Sequence, residues 1–402
     1  MFRIEEVRLG NYRSCVNTQV EFNTDLTALI GVNGAGKTNI LMGLLLLKQL
    51  VSPSLRYSGG HKQINDMRRS SVEVLFGIDD RKLKISADLW FDSTQTVDSV
   101  IRADMKFRNL SVKGTRLTSV DSEALPFLHY ASTHIEKFGS IRYRTARGLK
   151  KLDRDLIEFV QHMARMRYYS ATQFSDPSRS PISIELDDSG AASRSGRLNS
   201  HEKFLHDLFG SKKTSPKLFQ RYMNLVGSDG LHLVDAITFT TYAIPSSSIK
   251  VGPGGTVKTI KSKRTIVVPN FVVDKLELSP NQLSEGTFKT LALVFYILDE
   301  DTDILIIEEP EVCVHHGLLD SLIDLLKIQS NHKQILVSTH SDYVMDKLAP
   351  ENVVVVRKMK LGTKATALNK TLPRTDLATL KKYLDETGNL GEYWTESGFV
   401  GG

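Results

Sequence analysis

The chain has 402 residues, more than one ordinary domain needs, with 41% apolar and 24% charged residues, a balance that supports a buried core and excludes wholesale disorder. Its formal net charge of +6 permits contact with nucleic acid without requiring it, and its only cysteines, Cys15 and Cys313, are too few and too far apart for a disulfide framework or a zinc cluster. No apolar stretch approaches the roughly 18 residues of a membrane span, and the opening residues carry no apolar signal core, so a cytoplasmic protein without a membrane partner is expected.

Phe2, Ile4, Val7 and Leu9, then Val16, Val20 and Phe22, read as two strands around a turn-like Gly10-Asn11-Tyr12-Arg13-Ser14. Arg13 in that turn is either a solvated side chain or one that reaches a bound nucleotide. The next run, Leu26, Ala28, Leu29 and Ile30, is a strand leading into Gly31-Val32-Asn33-Gly34-Ala35-Gly36-Lys37-Thr38, and Ile40, Leu41, Leu44, Leu45 and Leu47 behind it form a helix. This is G-x-x-x-x-G-K-[ST] in the strand, loop and helix context that the motif needs. Glycines let successive N–H groups curl round a phosphate, and the helix N-terminus adds a positive dipole. Lys37 reaches the β- and γ-phosphates, and Thr38 offers its hydroxyl to Mg²⁺. Asn33, Gly34, Ala35, Gly36, Lys37, Thr38 and Asn39 are therefore the candidate ATP-binding residues.

Ser52-Pro53-Ser54 and Ser58-Gly59-Gly60 break the pattern after this helix. Val72, Val74 and Phe76, then Leu83, Ile85, Ala87 and Leu89, alternate as antiparallel strands, and a further pair is expected over residues 98–107 and 110–117 with a turn near Arg108-Asn109. From about residue 124 to 169 the pattern turns helical, with Leu152, Leu156, Phe159, Val160 and Met163 on one face. Lys137, Arg142, Arg144, Arg147, Lys150, Lys151, Arg154, Arg165 and Arg167 make that region basic, either as a solvated face or as a nucleic-acid surface. Tyr168 to Thr172 can return the chain to the core as a strand. Residues 175–200, rich in Ser, Asp, Gly and Arg, predict a mobile loop with a short strand at Ile182 to Leu186, and residues 201–226 a helix. Residues 239–244 and 256–268 predict a hairpin whose edge carries Lys258, Lys261, Lys263 and Arg264, an ordinary protection against edge pairing or a second basic surface.

Two more constellations follow. Leu283-Ser284-Glu285-Gly286 opens an apolar helix, and Asp303 to Ile307 is a buried strand ending in Glu308-Glu309-Pro310-Glu311. A Mg·ATP site needs one acid to hold the metal and a second to polarise the attacking water, and Glu308 and Glu309 stand in those places. After a helix built on Leu318, Leu319, Leu322, Ile323, Leu325 and Leu326, a second buried strand runs from Gln334 to Thr339-His340-Ser341, where His340 can hydrogen-bond a γ-phosphate. The neighbouring His315-His316 is spaced wrongly for two metal ligands on one helix face and reads as a helix start.

These motifs together resemble the ABC-type ATPases of the SMC and RecF class, and more closely the AAA-family ATP-binding proteins that include the OLD-type, RloA-type and PtuA-type ATPases of bacterial phage-defence systems. The resemblance covers residues 1–50 and about 275–358 well. It implies an α/β fold: an ABC-type P-loop ATPase core with an antiparallel β lobe and an inserted helical lobe. No heptad stretch supports a long coiled coil. Residues 1–120 would hold the Walker A half and the β lobe, residues 121–230 the helical insertion, and residues 231–402 the signature, Walker B and switch-histidine half. It implies that Lys37, Glu309 and His340 are catalytic, that Ser284 and Gly286 are the signature residues, and that Thr38, Glu308 and a Q-loop glutamine serve Mg²⁺. Gln63 and Gln173 are the candidates for that glutamine, with Gln63 preferred because it precedes the β-lobe strands.

The resemblance further implies a homodimer, or a larger homo-oligomer, in which the signature of one subunit closes on ATP held by the other. The chain after the switch strand leaves no room for the Toprim nuclease domain of OLD proteins, so a nuclease or toxin is expected to be another chain. Two functions result: an ATP-hydrolysing controller of a separate effector in anti-phage defence, or a RecF-like ATP-dependent DNA-binding protein in repair.

Overall fold

The computed structural model describes residues 2–22, 24–51, 70–78, 81–90, 104–112, 115–117, 142–145, 148–151, 161–186, 198–251, 257–312, 314–371 and 389–391. In chain order the elements begin β1 (Phe2–Tyr12), β2 (Cys15–Glu21), β3 (Leu26–Ile30), α1 (Lys37–Val51), β4 (Ser70–Ile78), β5 (Arg81–Trp90), β6 (Asp104–Val112), β7 (Thr115–Leu117), β8 (Arg142–Thr145), β9 (Gly148–Lys151) and β10 (Met166–Ser170). They continue with β11 (Ile184–Leu186), α2 (Ser200–Thr214), α3 (Pro216–Val226), β12 (Ala236–Val251), β13 (Val257–Val273), β14 (Leu276–Leu278), α4 (Glu285–Leu298) and β15 (Ile304–Glu308). The last are α5 (His316–Ser330), β16 (Gln334–Thr339), α6 (Asp342–Asp346), β17 (Val353–Met359), β18 (Gly362–Ala367) and α7 (Leu368–Thr371). Two compact units result: Met1–Tyr169 with Asp301–Glu311 and Ile323–Gly402, and Ser170–Glu300 with Val312–Leu322.

The first unit contains two six-stranded sheets. One has the order β2-β1-β4-β5-β6-β7 and is antiparallel throughout. The other, β10-β15-β16-β3-β17-β18, runs parallel from β15 to β17, and β18 turns back antiparallel at its edge. Its inner strands are predominantly apolar because they are buried on both faces: every residue of β3 and β16 is buried, the polar Thr27, Gln334, Ser338 and Thr339 included. Helix α1 contributes Ile40, Leu41, Leu44 and Leu47 to a core shared with Leu9 and Val7 of β1, Val74 and Phe76 of β4, and Ile306, Leu336 and Val356 of the parallel sheet. A buried glutamine ties the two sheets together. Ile4 N–H donates to Gln334 Oε1 at 2.7 Å, and Gln334 Nε2 donates to the Ile4 carbonyl at 2.8 Å.

The second unit is built on the long β12–β13 ribbon, flanked by β11 and β14, and on α2, α3 and α4. From Phe288 to Leu298 every residue of α4 is buried. Phe288 meets Phe204 edge to face, and Phe295 meets Tyr222 likewise.

Several sequence expectations are corrected. Strands β8 and β9 pair antiparallel where the charge pattern predicts a helix, because Tyr143 and Thr145 favour strand. β6 runs on through Arg108 and Asn109 to Val112, so no turn falls at the expected position. The single helix over residues 201–226 is two, because Pro216 cannot continue α2 but fits the first turn of α3. The strand at 168–172 ends at Ser170 and gives way to a 3-10 turn, Ala171–Phe174. Among the described residues no helix exceeds 15 residues, which leaves no long coiled coil there, and none is long and apolar enough to cross a membrane. Much of the expected mobile loop, residues 187–197, and Lys137, Arg147 and Arg154 of the basic region lie outside the described residues.

Candidate active site

The phosphate loop leaves β3 and enters α1 through backbone that favours glycine: Gly34 has φ 79° and Gly36 φ 110°. Gly36 is also a close-approach position. A Cβ there would stand 2.2 Å from Thr363 Oγ1, and that hydroxyl donates to the Ala35 carbonyl at 3.0 Å while meeting Ser14 Oγ at 2.7 Å. Thr363 on β18 thus braces the loop from behind. The β1–β2 turn braces its helix start: Asn39 Nδ2 donates to Ser14 Oγ at 2.7 Å, and Arg13 Nη1 donates to Asn39 Oδ1 at 3.1 Å. Arg13 is therefore tied to the phosphate-loop helix, an arrangement that neither sequence alternative described.

Lys37 Nζ donates to the loop's own Gly31 carbonyl at 2.6 Å and reaches that of Val32 at 3.3 Å. Burial pulls its pKa below the ordinary lysine value, while the charges of Glu309, Glu311 and Glu308 pull it back up. An ammonium so placed fits a phosphate anion, which would replace the carbonyls as its partner. The parallel sheet brings the acids to the same place. Thr38 Oγ1 donates to Glu308 Oε1, and the Tyr168 hydroxyl on β10 donates to Glu308 Oε2 at 2.5 Å. A hydroxyl and a carboxylate in contact are a donor set that suits Mg²⁺, a hard cation that takes oxygen ligands.

Glu309, the next residue, adopts the left-handed region at φ 50° and donates its N–H to the Ser338 carbonyl at 2.9 Å. A residue other than glycine held there costs about 1–2 kcal/mol. Outliers of this kind concentrate where function demands a particular side-chain direction. His340 lies just past β16, with Nδ1 3.6 Å from Glu309 Oε1 and 3.5 Å from Glu311 Oε1. The structure therefore brings Lys37, Thr38, Glu308, Glu309 and His340 to the end of one parallel sheet. Ser284 and Gly286 belong to the second unit, where Ser284 caps α4 by accepting the Thr287 N–H at 3.1 Å. Gln63 lies outside the described residues, whereas Gln173 is exposed on the 3-10 turn directly after β10. His315 caps the start of α5, its carbonyl accepting the N–H groups of Leu318 and Leu319, and no metal-binding cluster occurs among the described residues.

Sequence reasoning missed Tyr168, Glu311 and Thr363. Tyr168 carries no signal beyond its place in a strand, Thr363 lies in no motif, and Glu311 follows two acids that already fill the metal and base places.

The strand order, the phosphate loop and the strand-end acids define an ABC-type AAA ATPase. An "AAA ATPase domain" family model matches residues 2–213, more than half of the chain, and the chain belongs to that family. A second model, described as "AAA domain, putative AbiEii toxin, Type IV TA system", matches residues 273–346. The DNA double-strand break repair Rad50 ATPase of Methanopyrus kandleri is 32% identical over 123 residues, which is 30% of this chain but only 14% of that relative's length. Among solved structures, an Smc head bound to the C-terminal winged-helix domain of ScpA aligns over 92% of this chain and 99% of its own, at 15% identity and a TM-score of 0.51. The SMC head domain from Thermotoga maritima aligns over 91% and 98%, at 12% identity and a TM-score of 0.45.

Proposed function

We propose that the protein hydrolyses ATP at the end of the parallel sheet and uses an ATP-closed dimer, or a larger assembly, to control a separate nuclease or toxin in defence against phage. The observation that carries the hydrolysis is the meeting of Thr38 with Glu308 beside the strained Glu309. In this reading the loop amides and Lys37 hold the phosphates. Mg²⁺ on Thr38 and Glu308 would supply charge neutralisation to the β- and γ-phosphate oxygens. Glu309 accepts a proton from the attacking water, its direction fixed by the left-handed backbone. His340 donates to the γ-phosphate. Gln173, placed by sequence next to the strand that carries Tyr168, is the better candidate for the Q-loop than Gln63. Ser284 and Gly286, at the start of α4, complete the site of a second subunit with N–H and hydroxyl donors.

The match of residues 273–346 to a model whose description names a toxin and a type IV toxin–antitoxin system supports effector control. The local likeness to a Rad50 ATPase favours the second reading, an ATP-dependent DNA-binding protein of repair.

The test is Mg²⁺-dependent phosphate release by the purified protein. Lys37→Ala should abolish nucleotide binding, and Glu309→Gln should bind ATP and fail to turn it over. Turnover by Glu309→Gln near the wild-type rate would remove Glu309 as the base.

A further inference from the structure

The third acid of the Glu308-Glu309-Pro310-Glu311 run is built into the site differently from the first two. The Glu311 side chain is only 10% exposed. Its Oε1 accepts from Thr339 Oγ1 at 2.7 Å and from the His340 N–H at 3.2 Å, so one oxygen grips both residues at the end of β16. The same oxygen faces His340 Nδ1 at 3.5 Å, just outside hydrogen-bond distance, with Glu309 Oε1 on that nitrogen at 3.6 Å. Its other oxygen, Oε2, is buried and accepts no hydrogen bond from the described residues.

That last fact separates a structural role from a functional one. Both groups that Glu311 grips are neutral donors, and a neutral acceptor such as a glutamine carbonyl would satisfy them. A carboxylate adds a buried oxygen without a donor, which opposes folding. A charge retained against that cost has a use: it attracts the Lys37 ammonium, and the ring that its Oε1 faces at 3.5 Å is that of His340.

We propose that Glu311 is a positioning residue for His340, anchoring its main chain and holding the Nδ1 side of the imidazole so that Nε2 is left for the γ-phosphate. This rests on the ATPase reading above. The logic is that of any imidazole whose working nitrogen is aimed by a carboxylate on the opposite one.

The experiment uses the full chain with Glu311→Gln, Glu311→Ala, His340→Ala and the double variant, followed by steady-state ATP hydrolysis, binding of a non-hydrolysable ATP analogue, and the imidazole ¹⁵N resonances of histidine-labelled protein. His340 is assigned by the signals lost in His340→Ala. Glu311→Ala should lower kcat about tenfold with little change in analogue affinity, and Glu311→Gln, which keeps the acceptor and loses the charge, about threefold. In the His340→Ala background Glu311→Ala should cost nothing further, because the residue it serves is gone. The same fractional loss in both backgrounds, or a loss that lies in affinity, overturns the proposal. If Glu311→Ala does not fold, Glu311→Gln decides by the same comparison. The ring signals separate the two levels of inference: His340 resonances unmoved in both Glu311 variants retire the positioning contact, whereas resonances that move in a protein without ATPase activity keep the contact and retire the hydrolysis reading.

Discussion

Glu309 and Tyr168 both lie beside Glu308 and are placed by different means: one by its backbone, the other by a hydrogen bond to that acid. Glu309 follows the last residue of β15 and precedes Pro310, which disfavours right-handed helical backbone at the position before it. The chain turns there through φ 50°, and the strain is specific to a residue with a Cβ. Glu309→Gly should therefore be more stable than Glu309→Ala by about 1 kcal/mol in denaturant unfolding, while both are inactive. Equal stability of the pair would show that the turn is not strained. Tyr168 acts through the carboxylate it holds. Its hydroxyl and that of Thr38 each take one oxygen of Glu308, so Tyr168→Phe should free one oxygen and raise the Mg²⁺ concentration for half-maximal turnover by about three- to tenfold, with kcat at saturating Mg²⁺ less affected. At this scale the motif residues were legible because phosphate and metal chemistry restrict residue type and spacing. Tyr168 was not, because nothing in a strand's alternation reveals which hydroxyl will meet an acid from a strand more than a hundred residues later.

Elements were legible where one physical rule dominated. The short, predominantly apolar runs of β3, β15 and β16 read as strands buried on both faces, and the glycine-rich loop fixed where α1 begins. The rule failed where two signals competed. Residues 142–151 carry charges at spacings that suit a helix, yet Tyr143, Thr145 and Gly148 favour strand and turn, and local strand pairing won. Across residues 201–226 the apolar period carries on, but Pro216 removes a hydrogen-bond donor and splits it into α2 and α3. The packing of α3 on α4 makes a prediction of its own. Tyr222 is fully buried, its hydroxyl donates to the Leu291 carbonyl at 3.1 Å, and burial holds its pKa well above 10.0. Below the pKa of an unfolded tyrosine the group is neutral in both states and stability does not depend on it. Above that value the unfolded chain loses the proton while the folded chain retains it, so stability should fall as pH rises beyond about 10. Tyr222→Phe should cost about 1 kcal/mol at neutral pH, through the lost hydrogen bond, and should flatten the alkaline decline. A decline as steep in the phenylalanine variant would place its source elsewhere.

At the scale of the whole molecule the signature serine and the phosphate loop belong to different units of the chain, and the proposed mechanism assigns their meeting to a second subunit. ATP is then the ligand that binds the closed dimer better than the open protomer, and mass action converts that preference into assembly. Glu309→Gln removes the proposed base without removing a proposed phosphate ligand, so it should trap whatever ATP assembles. Light scattering of this variant should give the mass of one chain, 45.0 kDa, without nucleotide and at least twice that with Mg·ATP. Ser284→Arg, which fills the cap position with a long cation, should bind ATP as one chain and remain at the monomer mass. Mixing the trapped protein with products of neighbouring genes extends the measurement: a nuclease or toxin that joins only in Mg·ATP supports effector control. Duplex DNA that joins instead, with affinity falling steeply as salt rises, supports the repair reading. A mass that stays at 45.0 kDa in Mg·ATP would dispose of the closed-dimer mechanism even if the protein hydrolyses ATP, because no second subunit would then bring its signature to the bound nucleotide.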